Sequence, residues 1–436
     1  MVAMPGPVSA AIANAGLRGL TLLSKLVLVL VLARYFLLED LGVYGLMVSS
    51  VAIAVFALGL EYHYFTIRAL IARGVGRQAG IIRDQAVLYA LAALIALPPL
   101  AVLFWTVWAP VPRSVLVWFF ALTVVELAAQ EAGIALVALS RPLSANLVLF
   151  VRSGVWVYPL IAVAILVPAA RTVESVFSAW LCGGLASLAV AAWRLRGIGW
   201  GRALGEPVDW VTMRSGLRTA APFIVTTGAS LGLLFLDRFI IEIYQGLGPV
   251  GVYTFFAGIT TALHTLINTG VSLIRMPRLV KAYQDDDEAG FRRELGGMAR
   301  VTIAGASLVA VLIALAIVPL LRLVDKAVYE ASLGAFFILL PAALIRCVAD
   351  IPVYTLYARH RDMALLAVNL AAVSVATLLN LLLVPRLGLT GAAMSACAGA
   401  ATLLVTALLQ RSRRGGRGDV PAAGEALLEP LSRSTD

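Results

Sequence analysis

The sequence predicts an all-α integral membrane protein of twelve transmembrane helices, built as two parallel repeats of six. Three observations carry that expectation: an oily composition, twelve apolar stretches of spanning length, and a one-sided distribution of arginine. Of the 436 residues, 61% are apolar and 13% charged. Soluble domains carry about 45–50% and about 25%, so a water-soluble enzyme of this length is nearly excluded. A bilayer core about 30 Å thick takes ~20 apolar residues per helix, and the chain holds enough for twelve.

The spans follow in order. The first, 10–33, is too long for a signal-peptide core and has no small-residue cleavage site after it. The second, 42–61, opens at Gly42-Val43-Tyr44, and the third and fourth cover 86–108 and 115–139. The Arg141-Pro142 pair forces a break before the fifth, 143–167, because proline favours a helix start over its interior. The sixth is 175–193, the seventh 221–243 and the eighth 250–274. Spans 302–323, 334–357, 364–384 and 391–409 complete the set. Barrel-type alternation is absent, so these are helices. The chain divides into helices 1–6 (1–195), a basic linker (196–220), helices 7–12 (221–410) and a polar tail (411–436) read as disordered.

Arginine and lysine fix the orientation. Loops after even spans hold Arg68, Arg73, Arg77, Arg83, Arg141, Arg194, Arg196, Arg202, Arg214, Arg218, Arg275, Arg278, Lys281, Arg292, Arg293, Arg300, Arg359 and Arg361. The tail adds Arg411, Arg413, Arg414, Arg417 and Arg433. Loops after odd spans hold only Arg34, Arg113, Arg171, Arg238, Arg322, Lys326 and Arg386. By the positive-inside rule both termini are cytoplasmic. The net charge of +10 therefore reports orientation and not a nucleic-acid partner. Cys182, Cys347 and Cys397 lie in apolar runs, and His63, His264 and His360 are scattered, so no disulfide framework, metal site or cofactor is expected. The run Asp285-Asp286-Asp287-Glu288 reads as an acidic helix start, favoured by the helix dipole, over a calcium loop.

An internal repeat is visible. Gly42-Val43-Tyr44 and Gly251-Val252-Tyr253 open the second and eighth spans. Ala138-Leu139-Ser140-Arg141 and Leu356-Tyr357-Ala358-Arg359 precede the fifth and eleventh, each followed by an early asparagine, Asn146 or Asn369. Six spans per half give both halves one orientation, a transporter architecture with the site between them.

Ionisable residues inside spans cost ~2.5–3.5 kcal/mol on insertion scales and usually face a cavity or a partner. Arg18 and Lys25 lie two turns apart on the first span. Glu126, Gln130 and Glu131 share one side of the fourth, and Arg152 lies mid-depth in the fifth. Thr226, Ser230 and Asp237 align on the seventh, and His264, Asn268 and Arg275 on the eighth. Arg346 and Asp350 are at i, i+4 on the tenth, and Asn369 and Asn380 align on the eleventh. Arg18, Lys25, Arg152 and Arg346 are candidates for anion contact, since arginine binds phosphate bidentately and stays charged. Gln130, Asn268 and Asn369 are candidates for sugar hydroxyls. Glu126, Glu131, Asp350 and His264 are candidates for ion coupling. Each has a structural alternative. Arg346–Asp350 reads equally as an intrahelical ion pair, Glu126 or Glu131 as a neutraliser of Arg152, His264 as a hydrogen-bonded structural residue, and Arg275 as a side chain snorkelling to the interface.

The stretch 32–44, Leu236-Asp237-Arg238-Phe239-Ile240-Ile241 leading to Gly251-Val252-Tyr253, and the run 379–393 resemble the inter-helix junctions of bacterial polysaccharide flippases of the Wzx type. These belong to the multidrug/oligosaccharidyl-lipid/polysaccharide exporter superfamily, with the multidrug exporters (MATE) and the flippase MurJ. The resemblance implies a MATE-like fold: two six-helix lobes around a central cavity. It implies movement of a lipid-linked oligosaccharide, carried on polyprenyl pyrophosphate, across the bacterial inner membrane by alternating access. A polysaccharide polymerase and a chain-length regulator would be the partners. The alternatives are a MATE-type small-molecule exporter and an integral-membrane polysaccharide polymerase or ligase. An ATP-driven pump is disfavoured, because no P-loop is present.

Overall fold

The computed structural model describes residues 7–72, 77–107 and 113–412. The tail from residue 413 and Arg73 lie outside the described residues. The first half consists of α1 (Pro7–Tyr35), α2 (Leu38–Gly59), the short α3 (His63–Ala72), α4 (Gln78–Val107), α5 (Arg113–Ala138), α6 (Pro142–Phe150), a π turn (Val151–Val155), α7 (Val157–Leu166) and α8 (Val173–Leu195). After α9 (Trp200–Gly205) come α10 (Trp210–Gln245), α11 (Leu247–Gln284), α12 (Glu288–Val324), α13 (Ala327–Ala331), α14 (Leu333–Ala358), α15 (Asp362–Leu387) and α16 (Leu389–Ser412). Twelve helices among the described residues are long and apolar enough to cross a membrane. Large apolar side chains stay exposed along them: Leu94, Ile95 and Leu315 are 71%, 72% and 71% accessible. On a soluble protein such a surface would be a liability. Here it is the face offered to lipid.

The twelve expected spans all appear as helices, with ends shifted by several residues. Residues 196–220, read as a linker, are largely helical: they hold α9 and the first turns of α10. Arg83, beside Asp84 near the start of α4, donates to the carbonyls of Ala203, Glu206 and Pro207. Asp84 in turn accepts from the Asp209 N–H at 3.4 Å. The segment is tied to the bundle and does not hang free. The acidic run starts a helix: Asp287 caps α12, its carboxylate accepting from the Gly290 N–H at 2.7 Å. That helix runs unbroken from the charged stretch into the ninth span.

The repeat is repeated in side-chain detail. Ser140 and His360 are both left-handed, at φ 58° and 53°. Each ends a helix in the same pattern, with Arg141 N–H bonding Leu136 O and Arg361 N–H bonding Leu356 O. Arg141 then donates to the carbonyl of Arg194 at 2.7 Å, and Arg361 to that of Gln410 at 2.6 Å. Each arginine thus satisfies an orphan carbonyl at a helix end. The structural register pairs Ala138–Arg141 with Ala358–Arg361. The sequence alignment through Ala358-Arg359 is two residues off, because it rested on composition and not on the turn. Asn146 and Asn369 are accordingly not equivalent.

The Gly-Val-Tyr triplets meet each other. α2 and α11 cross where Gly42 faces Gly251. A Cβ on Gly42 would strike the Leu247 carbonyl, and one on Gly251 the Leu38 carbonyl. Gly45 is likewise filled by Thr254. In the same core Tyr253, Phe255, Phe256, Tyr329 and Phe336 are fully buried, and the last four pack ring against ring.

Candidate functional site: a charged groove and two buried clusters

The first half gathers cations between α1, α5 and the π turn. Arg18 Nε donates to Asn146 Oδ1 at 3.0 Å, and Asn146 Nδ2 to Asn14 Oδ1 at 2.6 Å. The guanidinium is thereby oriented through Nε, and its two terminal nitrogens take no part in that bond. Lys25, in the middle of its span, is exposed, and the charges acting on it are Arg152 and Glu126. Arg152 Nε lies 3.4 Å from Glu126 Oε2. Glu126 Oε1 also accepts from Trp180 Nε1 at 2.7 Å, and Trp180 packs edge-on against Tyr44. Arg152 sits in the π turn, whose widened winding often marks functional positions. Beyond it, Tyr158 hydroxyl bonds Ser24 at 3.0 Å.

Glu131 makes its hydrogen bonds away from Glu126, although Arg152 is among the charges acting on it. Its Oε2 accepts from Gln85 at 2.8 Å, and Gln85 also bonds Tyr89. The charge acting on it most strongly is Glu61, just past the end of α2. Leu60 and Glu61 are both left-handed, at φ 49° and 52°, a conformation that costs non-glycine residues free energy. Glu61 is buried, hydrogen-bonds Thr227 of α10, and has His63 at 3.8 Å. It therefore crosses from the first half to the second. Tyr64 stacks on Phe223 of α10 at the same seam, ring centroids 4.4 Å apart. Burial pushes the Glu61 carboxyl from the ordinary range up to about 7.

In the second half Asp350 is a hub. It accepts from His264 Nε2 at 2.8 Å and Asn268 Nδ2 at 3.2 Å, with Arg346 Nε at 3.6 Å. Tyr354 donates to Asn268 Oδ1 at 2.8 Å. Arg346–Asp350 is the i, i+4 pair, and His264 is hydrogen-bonded. Asn369 accepts from Ser230 at 2.8 Å and donates to Leu365 O, so its amide is occupied within the protein. Gln130 is half-buried and makes no hydrogen bond among the described residues. Arg275 pairs with Glu294 of α12 at 3.1 Å. Asp237, inside α10 and not at its end, accepts from the Tyr253 hydroxyl.

Of the candidates, the structure brings together Lys25, Arg152 and Glu126 in one place and Arg346, Asp350, His264 and Asn268 in another, while Arg18 lies two turns before Lys25 on α1 and is bonded to Asn146. Gln130 and Asn369 stand apart from both groups, and Glu131 is hydrogen-bonded to Gln85 while lying within electrostatic reach of Arg152. Sequence reasoning missed Glu61, Gln85, Trp180, Tyr354 and the π turn. Tyr354 lies four residues after Asp350, so the helical face rule was a usable signal for it. Glu61 and Trp180 meet partners far along the chain and carried none.

No family model and no curated protein matches the sequence. Solved structures do match. An inward-facing multidrug resistance MATE family transporter of the MOP superfamily is similar at TM-score 0.71 and 14% identity, over 98% of this chain and 100% of that one. An outward-facing transporter of the same description gives 0.63 and 17%, over 93% of each chain. The lipid II flippase MurJ, inward closed, gives 0.68 and 12%, over 92% of this chain and 87% of its own. The chain shares its overall fold with these transporters, and its own described residues form twelve helices of spanning length.

Proposed function

We propose that the protein is a secondary transporter that moves a lipid-linked oligosaccharide, joined to its lipid through pyrophosphate, from the inner to the outer leaflet of a bacterial cytoplasmic membrane. The observation that carries this is Lys25: a mid-span lysine within electrostatic reach of Arg152, with Glu126 as the opposing acid and Arg18 two turns away on the same helix. A net positive groove at that depth is costly without an anion to meet. The lipid tail stays in hydrocarbon while phosphate and sugars cross in the groove.

The test is flipping of a fluorescent lipid-linked oligosaccharide by full-length protein in vesicles. Lys25→Ala and Arg18→Ala are each expected to weaken substrate binding by about 1.5–3 kcal/mol, the size of a charged hydrogen bond. Arg18→Lys keeps charge but loses both the fork and the Asn146 bond, so it falls between. Undiminished flipping in the Arg18→Ala/Lys25→Ala double variant would refute the reading. A second reading, export of a cationic small molecule, is favoured by the acidic hub at Asp350. Under it, cationic dye efflux survives loss of Lys25 and fails on loss of Asp350.

Orientation belongs to the proposal. The arginine-rich loops face the cytoplasm, so a cysteine introduced in the 196–209 segment resists an impermeant thiol reagent added outside. One near Lys326 reacts. The reverse pattern would invert the topology.

Coupling to protons is assigned to Glu61 and Glu131. Glu126 is held by Arg152 and Trp180, whereas Glu61 lies on the seam that must part when the halves move. Its raised pKa means the folded state holds the proton more tightly than the unfolded chain. Stability is then fullest at low pH and declines as pH rises from about 4.5 to about 7. Glu61→Gln should flatten the thermal-melt profile across that window and abolish the pH dependence of flipping. A profile matching wild type would discard this assignment.

A further inference from the structure

A cavity of about 320 Å3 opens where α8 ends and α6 begins, lined by Arg141, Ser144, Trp193, Arg194, Arg196 and Gly197. Three of the six carry permanent positive charge, and none is acidic. Two spans, Pro142–Leu166 and Val173–Leu195, terminate there, so the cavity lies at the depth of lipid headgroups. Trp193 is exposed, with the guanidinium of Arg194 4.5 Å and that of Arg196 5.5 Å from its ring centre. Exposed tryptophan beside arginine is what a membrane–water interface selects. The Arg194 Nε is buried with no hydrogen-bond partner among the described residues, an expensive condition for a charged donor.

The helix that starts at the cavity sharpens the point. The first turn of α6 has no acidic side chain, and Arg141 stands at its N-cap. Unsatisfied N–H groups and the positive end of the dipole therefore face a site already rich in cations. The second half offers the comparison. Arg361 occupies the place of Arg141 and makes the same bond to a helix-end carbonyl. There the first turn of α15 supplies Asp362 as its own negative charge, whereas the matching position in the first half is Pro142. One half brings an anion within the chain; the other leaves the position to an outside anion.

We propose that this cavity binds the phosphate of an anionic phospholipid headgroup, held by Arg141, Arg194 and Arg196 at the N-terminus of α6. Basic pockets between spanning helices are suited to such headgroups, and arginine forks match phosphate oxygens in pairs. The site is distinct from the groove at Lys25 and does not depend on what that groove carries.

The test uses purified full-length protein in nanodiscs of phosphatidylcholine, with and without phosphatidylglycerol, read by thermal melting and by native mass spectrometry of retained lipid. Phosphatidylglycerol is expected to raise the melting temperature of the wild type and to be retained. Arg196→Glu, at an exposed position where folding is not at risk, should weaken retention about tenfold, the order of one charge-assisted contact. Arg194→Gln should act in the same direction, and Arg293→Glu, at an exposed cation elsewhere, should change nothing. Inorganic phosphate added to phosphatidylcholine discs separates the sources. Stabilisation by it with no added effect of phosphatidylglycerol keeps the phosphate site and makes its ligand a soluble anion. Wild-type retention in Arg196→Glu and Arg194→Gln, or no effect of either probe, overturns the proposal.

Discussion

Gly42→Ala, like Gly251→Ala, is expected to lower the melting temperature of the detergent-solubilised protein far more than a methyl added at a glycine that faces open space. The reason is what the new Cβ meets. At most helical glycines it would touch open space or the tip of a side chain, which yields. At Gly42 it meets the Leu247 carbonyl, and at Gly251 the Leu38 carbonyl. Backbone cannot rotate away, so α2 and α11 must separate along their whole crossing. Overpacking typically costs about 1–3 kcal/mol, and a backbone-to-backbone clash lies at or beyond the top of that range. Gly133→Ala in α5 is the control, because nothing lies within 4 Å of its added Cβ. It should be neutral or mildly stabilising, since alanine suits a helix interior better by roughly 0.5–1 kcal/mol. Equal melting of Gly42→Ala and wild type would mean the seam is looser than described.

Asp350→Ala is the second large effect. One carboxylate holds His264, Asn268 and Arg346, and its removal strands an arginine inside a membrane helix. Breaking a buried pair by deleting one partner costs about 3–5 kcal/mol. Partial exposure of Arg346, 28% accessible, puts this site near the lower end. Arg346→Met in the same chain should return part of the loss, because the cation no longer lacks a partner. A double-mutant cycle on melting free energies reads the coupling directly, with 0.5–3 kcal/mol typical of residues in one network. Additive losses would show that the two side chains do not depend on each other.

The twelve spans were legible because each is set by local composition: a helix in lipid must satisfy its backbone internally, whatever it packs against. The Gly-Val-Tyr repeat was legible as a pattern, but not that its two copies touch. Contact between residues about half the chain apart leaves no mark on local spacing. The same limit applies to the candidate site. Arg346 and Asp350 lie one turn apart, and their pairing follows from helix geometry. Glu126 reaches Arg152 and Trp180 on other helices, and only the fold chooses between Glu126 and Glu131 as that partner. Glu61 was invisible for a different reason. It sits between helices in a left-handed turn, where neither period applies.

The π turn at Val151–Val155 has a consequence in angle. Asn146 and Tyr158 both reach α1, the first at Arg18 and the second at Ser24. They are twelve residues apart, and in an unbroken α-helix at about 100° per residue they would point about 120° away from each other. The π turn absorbs one residue, leaving an effective separation of eleven and an offset of only about 20°. A single surplus residue thus re-phases the lower and upper parts of one span onto the same neighbour. Deleting one residue from the turn would let the span run as an unbroken α-helix with the same eleven-residue phase, so Tyr158 would still face α1 and only the widened winding around Arg152 would be lost. The span is keyed to α1 by its phase as well as by its contacts.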